Sequence, residues 1–166
     1  GKPLSTGNAW QARKTIIDAM PHHTIQELTE RYSVDRTSLG IVRPAEILDV
    51  AVTPVAPHWK PEWAQLFSQM RLFGKPQKPL RKLPYKFQYV FKCEDSTNPH
   101  RIMVEDWELG ALFLKESVRL GSDELAAESV KKRYLETVAA ADRDVRFLVG
   151  TRFPYPSWLI IGVFWP

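Results

Sequence analysis

The chain has 166 residues but only one cysteine, Cys93. A disulfide within the chain is therefore impossible, and a zinc site made of several cysteine thiolates is excluded as well. We predict that Cys93 is a buried strand residue. No apolar run reaches the roughly 18 residues of a membrane span, and no signal peptide is visible, so we expect no membrane partner and a reducing cytoplasm.

Common signatures of catalytic and nucleotide-binding sites are also missing from the sequence. The four histidines are scattered, and no His-Glu-x-x-His segment places two of them on one helix face. There is no Gly-x-Ser-x-Gly turn to expose a nucleophilic serine and no glycine-rich loop to bind phosphate. The sequence thus predicts no resident metal or cofactor, and it leaves open whether the chain is an enzyme.

The overall composition is typical of a compact globular chain. Hydrophobic residues make up 44% and charged residues 25% of the sequence, which provides enough apolar material for one domain with its own core. The formal charge is +4, and a basic balance of this size mildly favours polyanionic partners. Six tryptophans are many for this length, so several must lie in the core or on a contact surface.

The stretch from Leu83 to Leu109 gives the clearest structural signal. Residues alternate in polarity from Tyr85 to Cys93, which indicates a strand with one buried face. A polar turn follows, and a second strand is predicted from His100 to Asp106. Trp107 then opens a helix. The sequence therefore predicts an antiparallel hairpin that runs directly into a helix.

Helical patterns lie on both sides of this hairpin. Before it, an apolar stripe made of Trp10, Ile16, Ile17 and Met20 ends at Pro21, and Thr24 starts a further helix with a capping box. After it, Gly121 ends the helix that Trp107 opens, and Ser122 caps the next one. The apolar stripes of these two later helices are Trp107, Ala111, Leu114 and Val118, and Ala126, Val130, Tyr134 and Val138.

Further strands are predicted before and after these helices. Ser38 to Val42 and Leu48 to Val55 read as short strands, and Asp144 to Val149 alternates in polarity. Gly150 to Pro156 is predicted as a turn. The last segment, Trp158 to Trp165, is apolar on both faces, which is typical of a central strand covered on both sides.

Together these patterns predict an α+β fold. We expect an antiparallel sheet built from two hairpins, the central one and the last two strands, with helices packed on one face. Residues 1–166 form a single α+β domain in this interpretation. Residues 1–36 are a helical lead-in, and residues 37–166 are the sheet-containing core.

A basic segment around the hairpin is the main functional signal. No acidic residue lies between Arg71 and Lys92, and this stretch combines a proline-rich extended arm with the outer face of the first hairpin strand. Basic groups beside Tyr85 and Tyr89 are typical of a groove for single-stranded nucleic acid. We therefore predict an accessory module that contacts the phosphate backbone of DNA or RNA, through Arg81, Lys82, Lys86 and Lys92. The alternative is a solvated strand face that protects a sheet edge with lysines.

Two other functions stay open. Asp106 and Glu108, with His100, are candidate residues for a nuclease or phosphodiesterase that uses Mg²⁺, although Asp106 directly before a helix is also a natural N-cap. No lysine follows Asp106 or Glu108 at strand spacing to position a water molecule. The third possibility is a protein-interaction domain whose tryptophan-rich end docks on a partner or on a missing amino-terminal region.

Several blocks of the sequence resemble one protein group. The blocks are Lys82-Leu-Pro-Tyr-Lys-Phe-x-Tyr-x-Phe-x-Cys-Glu-Asp, then His100, Asp106-Trp-Glu, Phe147-Leu-Val-Gly and Trp158-Leu-Ile-Ile-Gly-Val-Phe, with Ser38-Leu-Gly-Ile-Val-Arg-Pro before them. In this order they are similar to a group of uncharacterised bacterial and archaeal proteins. The resemblance implies that the chain is the carboxy-terminal portion of a longer protein with an OB-like region before it. Relatives have a second cysteine after Cys93, where this chain has the turn Ser96 to Asn98, which argues against a metal bound by Cys93 and His100.

Overall fold

The computed structural model describes residues 6–63, 81–152 and 155–166. The predicted α+β class is confirmed, since helices and antiparallel sheets both occur. The helices are α1 (Thr6–Asp18), α2 (Ile25–Asp35), α3 (Trp107–Leu120) and α4 (Asp123–Arg133), which continues into a π-helical turn (Tyr134–Val138). The strands are β1 (His22–His23), β2 (Leu39–Val42), β3 (Glu46–Pro54), β4 (Tyr85–Lys92), β5 (His100–Met103), β6 (Arg146–Arg152) and β7 (Tyr155–Phe164).

The strands form two sheets, whereas the sequence predicts that the central hairpin and the last two strands share one. One sheet has the order β1-β2-β6-β7 and the other the order β3-β4-β5. The pairing is antiparallel except between β1 and β2. A parallel bridge between Val104 and Ile160 joins the two sheets. The prediction of a single sheet was wrong because alternation identifies the buried face of a strand but not its neighbour.

The main core lies between the two sheets and α3. Phe87, Tyr89 and Phe91 alternate along β4 and are almost completely buried, as the sequence predicts. The rings of Tyr89 and Phe91 lie 4.8 and 5.0 Å from the ring of Phe147 on β6. Phe87 contacts Phe113 of α3 at 6.1 Å. Such aromatic pairs each add about 0.5–1.5 kcal/mol beyond simple burial, so β4 holds both sheets and the helical layer together.

The start of α3 is fixed by Asp106. One carboxylate oxygen accepts a hydrogen bond from the Glu108 amide at 2.7 Å, and the other accepts from the Val163 amide of β7 at 2.9 Å. The predicted cap is confirmed, and the same side chain also ties the helix to the neighbouring sheet. Strand β5 ends at Met103, earlier than predicted, because the chain then crosses to β7 at Val104. Helix α3 ends at Gly121, with φ of 66°, as predicted.

The apolar stripe that the sequence predicts for α3 does not face the core. Trp107 and Val118 are 80% and 82% exposed, while Leu109 and Phe113 are buried instead. Two polar side chains, Glu116 and Ser117, complete the buried face, which is why the polarity pattern pointed to the wrong side. They tolerate burial because each is hydrogen-bonded, Glu116 to Arg119 and Ser129, and Ser117 to Arg81 and Asp123.

The last strands also differ from their prediction. Gly150 to Arg152 belongs to β6 and Tyr155 already begins β7, so the predicted turn was too long. Strand β7 is the edge of its sheet, not a central strand. Part of this edge is covered by the segment before α3, where the Glu105 amide donates to the Ile160 carbonyl at 2.7 Å. One face of β7 packs in the main core through Ile160 and the other contacts α1 through Phe164, which explains apolar residues on both faces.

The expected helical lead-in contributes to the sheet and to the core. The Thr24 capping box is present, with hydrogen bonds of 3.1 and 2.9 Å between Thr24 and Glu27. Leu28 of α2 is fully buried in the main core, and β1 pairs with β2. A boundary at residue 36 therefore does not separate a lead-in from a sheet core. Residues 64–80, which hold most of the predicted proline-rich arm, lie outside the described residues.

Candidate docking groove

An apolar groove of about 450 Å³ lies on the outer face of the four-stranded sheet. Alternation along the strands explains its floor: Leu39, Leu148 and Ile161 point outward, while their neighbours in β2, β6 and β7 point into the main core. Helix α1 packs on this face through Ile17, which forms a small second cluster with Phe164. Since α1 covers part of the outer face, the rest remains as a groove beside it.

The groove exposes large apolar side chains to solvent. Ile16 of α1 and Leu39 of β2 are 61% and 65% exposed, and Met20 and Ile161 are also exposed. The α1 stripe predicted from the sequence is thus only partly buried, because Ile17 packs inward while Ile16 and Met20 line the groove. Neighbouring exposed apolar residues are uncommon on soluble proteins and mark contact surfaces more often than isolated ones do.

A glycine keeps the floor of the groove open. A Cβ atom at Gly150 of β6 would lie 3.2 Å from Leu39 Cδ2 and 3.5 Å from Ile161 Cδ1. A larger residue would therefore displace Leu39, while the 3.5 Å distance to Ile161 is an ordinary contact. Gly150 lets Leu39 and Ile161 lie next to each other across β6.

One charged side chain lines the groove among the described residues. Arg31 of α2 lies at its rim, and no carboxylate is among the lining residues. The Arg31 guanidinium lies 3.0 Å from His23 Nε2. A guanidinium can only donate, so this ring nitrogen accepts and the ring proton lies on Nδ1, 3.6 Å from a Glu27 oxygen. The groove therefore combines an apolar floor with a positive end.

A charge network centred on the buried Arg146 holds the wall of the groove in place. Arg146 of β6 is only 5% exposed; its Nε donates to His22 Nε2 at 3.0 Å and its Nη groups donate to Asp144. These hydrogen bonds from Arg146 lower the pKa of Asp144. Burial, with the nearby Arg146 and Arg43 charges, lowers the pKa of His22. Lys14 of α1 lies 3.5 Å from Asp144, so the network links α1 and β1 to the sheet.

Most of the basic residues predicted to contact phosphates have partners within the protein. Arg81 binds both oxygens of Asp123 at 2.6 and 2.7 Å. Lys82 donates to the Ala56 carbonyl at 2.6 Å, and Lys92 pairs with Glu46 at 3.1 Å. Lys86 lies on the outer face of β4, opposite Thr53 of β3. Acidic residues and carbonyls distant in sequence thus engage three of these four cations, and contact of the four with phosphates stays a prediction.

Tyr89, one of the two tyrosines predicted to lie beside these cations, points into the core instead. Tyr89 is fully buried, and its hydroxyl donates to the Tyr134 carbonyl at 3.0 Å. Burial raises the pKa of Tyr89 far above its usual range. Trp158 is also buried and donates its indole N–H to the Thr29 hydroxyl at 3.0 Å. The rings of Tyr89 and Trp158 are therefore not available for stacking on bases, whereas Tyr85 is only half-buried.

The candidate catalytic residues are not brought together into a metal site. Both oxygens of Asp106 accept backbone hydrogen bonds, and Glu108 is exposed on the first turn of α3. The ring of His100 packs 5.6 Å from that of Phe91, and its Nε2 is buried without a hydrogen-bond partner. Within residues 6–63, 81–152 and 155–166, no group of three or more His, Cys, Asp or Glu side chains could hold a metal ion.

Cys93 has the environment that the sequence predicts. It directly follows β4, is buried and has a free thiol. Burial raises the pKa of this thiol, which disfavours the reactive thiolate. In the part of the chain that is described, no helix is both long and apolar enough to cross a membrane.

The sequence interpretation missed the groove for a specific reason. It treated the outward residues of β7 as covered and the α1 stripe as a face for the core. The available signal was that Leu39, Leu148 and Ile161 lie out of phase with the main core residues of their strands. Recognising this signal required the order of the strands.

Comparisons with known proteins give one family match. The matching family model covers residues 21–166, and its description reads "Domain of unknown function (DUF8757)". The match includes β1, β2, β6 and β7, while the α1 wall of the groove precedes it. No curated protein and no solved structure matches the chain.

Proposed function

The chain belongs to the family described as "Domain of unknown function (DUF8757)", and we propose that it is a protein-docking module. The groove beside α1 binds an apolar protein segment that also contains a carboxylate. The main support is the combination of exposed Ile16, Met20, Leu39 and Ile161 with Arg31 at the rim.

The exposed apolar side chains of the groove can supply part of the binding free energy. Full burial of one aliphatic side chain stabilises a complex by about 1.5–3 kcal/mol, so covering four half-exposed ones contributes on the order of 4 kcal/mol. Association itself costs at least about 4 kcal/mol. A partner must therefore add a polar contact at Arg31, and we expect a weak, transient complex.

The charge of the groove determines which kind of partner segment it favours. The described residues that line the groove include Arg31 and no carboxylate, so a partner carboxylate can accept a charge-assisted hydrogen bond from Arg31 beside the nearby Glu27 and Asp35. The formal charge of +4 on the whole chain also favours encounter with acidic partners. An apolar segment with Asp or Glu at one end complements the groove in both respects.

Binding to DNA or RNA through Arg81, Lys82, Lys86 and Lys92 remains a prediction with less support, because three of these cations have internal partners. A metal-dependent nuclease using Asp106 and Glu108 has less support as well, because Asp106 is fully engaged as a cap. Salt separates polyanion binding from docking, since affinity for phosphates falls steeply between about 50 and 200 mM salt.

The test uses an array of short peptides that combine apolar residues with a single Asp, Asn or Lys. We expect the wild-type chain to select the Asp peptides, and Arg31→Glu to shift the preference to the Lys peptides. Leu39→Asp should abolish selection. Leu125→Asp, at an exposed leucine of α4 outside the groove lining, is the matched control and should leave it unchanged.

Two outcomes would refute the proposal. The first is that the folded wild-type chain selects no apolar peptides, and the second is that Leu39→Asp and Leu125→Asp reduce selection equally. A preference for acidic peptides that Arg31→Glu does not alter would refute the assignment of the positive end. Circular dichroism of each variant establishes that it is folded.

A further inference from the structure

The exposed face of α3 has the pattern of a helix-packing seam. Trp107, Ala111, Leu114 and Val118 follow one another at spacings of four, three and four residues, which is the a/d spacing of paired helices. Trp107 and Val118 are 80% and 82% exposed, and Ala111 is exposed as well. Leu114 is half-buried and joins the seam to the main core. This seam is separate from the docking groove, since none of its residues lines that groove.

Two opposite charges lie along one side of the seam. Glu108 and Lys115 are seven residues apart, so they occupy the same side of the helix about 10 Å apart along its axis. Both are exposed. The other side of the seam, at Gly110 and Ser117, turns toward the body of the protein, where Ser117 is buried.

A second copy of α3, placed antiparallel about a two-fold axis, complements this face. When Ala111 lies opposite Leu114 of the second copy, Trp107 lies opposite Val118 of the second copy. A two-fold axis also brings the same sides of both helices together, so Glu108 faces Lys115 of the second copy, and the reverse. A parallel arrangement would instead turn Glu108 and Lys115 toward the Gly110 and Ser117 side of the second copy, where neither charge gains a partner of opposite sign.

We propose that the chain forms an antiparallel homodimer through the exposed face of α3. The apolar stripe supplies the contact, and the Glu108 and Lys115 pairs set the antiparallel direction. The interface is small, so the dissociation constant is expected to be on the order of 10–100 µM.

The experiment is sedimentation velocity of the full chain over a concentration range that spans this value. The wild type should pass from monomer to dimer. Glu108→Lys and Lys115→Glu should each weaken the dimer about tenfold or more, since the symmetry converts two attractions into two repulsions. Mixing the two single variants should restore a dimer, because each chain then supplies the charge that the other lacks.

The apolar stripe is tested with a matched pair of variants. Val118→Lys should abolish the dimer, whereas Val34→Lys should not, although Val34 on α2 is equally exposed at 85%. Thermal unfolding followed by circular dichroism distinguishes a failed interface from a failed fold. A wild type that stays monomeric throughout, or two single variants that do not associate when mixed, would overturn the proposal.

Discussion

Gly40 of β2 offers the sharpest test of how the amino-terminal helices pack on the sheet. A Cβ atom at this position would lie 2.6 and 2.7 Å from the two terminal methyl groups of Leu28 and 3.2 Å from its Cγ. Distances this short require Leu28 to move. Leu28 is fully buried within the main core, so its side chain has no free space to move into. We therefore expect Gly40→Ala to be destabilising.

The magnitude follows from two opposing effects. Overpacking of a well-filled core typically costs about 1–3 kcal/mol. Replacing glycine with alanine reduces the entropy of the unfolded chain and returns about 0.4–1 kcal/mol. The net loss in the free energy of unfolding is thus about 1–2 kcal/mol, or a Tm lower by roughly 2–8 °C for a chain of this size. Gly162→Ala is the matched control, because its nearest neighbour would be 3.7 Å away, an ordinary contact.

Urea unfolding of five chains tests the reasoning: the wild type, Gly40→Ala, Leu28→Ala, their double variant and the control Gly162→Ala. Leu28→Ala alone should cost about 2–5 kcal/mol because it leaves a cavity. In the Gly40→Ala background it should cost at least about 1 kcal/mol less, since the added methyl group occupies part of that cavity. Strict additivity of the two substitutions, or a Gly40→Ala variant as stable as Gly162→Ala, would show that Leu28 does not pack on Gly40.

Two further predictions concern carboxylates. Hydrogen bonds from Arg119 and Ser129 lower the pKa of Glu116 from 4.5 to about 2. The ionised Glu116 carboxylate therefore stabilises the folded chain fully above about pH 4.5, and this stabilisation disappears as the pH falls toward 2. The stability difference between the wild type and Glu116→Gln, measured in urea, should therefore shrink over that range, and a difference independent of pH would contradict this. Asp106→Ala removes a cap and the contact with the Val163 amide, at a cost of about 2–3 kcal/mol. Asp106→Asn keeps one capping oxygen, so its free energy of unfolding should fall by less than half of that amount. Equal losses of stability in Asp106→Ala and Asp106→Asn would rule out the cap as the cause.

The candidate sites illustrate which parts of the interpretation depended on the tertiary structure. The four basic residues lie within one short stretch, residues 81–92, but their partners come from elsewhere in the sequence. Asp123 of α4 pairs with Arg81, and Glu46 of β3 pairs with Lys92. The absence of acidic residues from a stretch of sequence therefore does not predict the charge of the surface that surrounds this stretch in the folded protein. The cap at Asp106 was predictable because it depends on neighbouring residues, whereas its contact with Val163 was not.

The local sequence pattern predicted the structure correctly where the conformation of a segment depends on neighbouring residues alone. The alternation from Tyr85 to Cys93, the Thr24 capping box and the end of α3 at Gly121 all follow from short-range sterics and hydrogen bonding, and the sequence predicted each of them. Pairing partners and helix orientation are different, because they minimise the free energy of the whole core. That is why the two sheets, the outward stripe of α3 and the groove beside α1 emerged only from the tertiary structure.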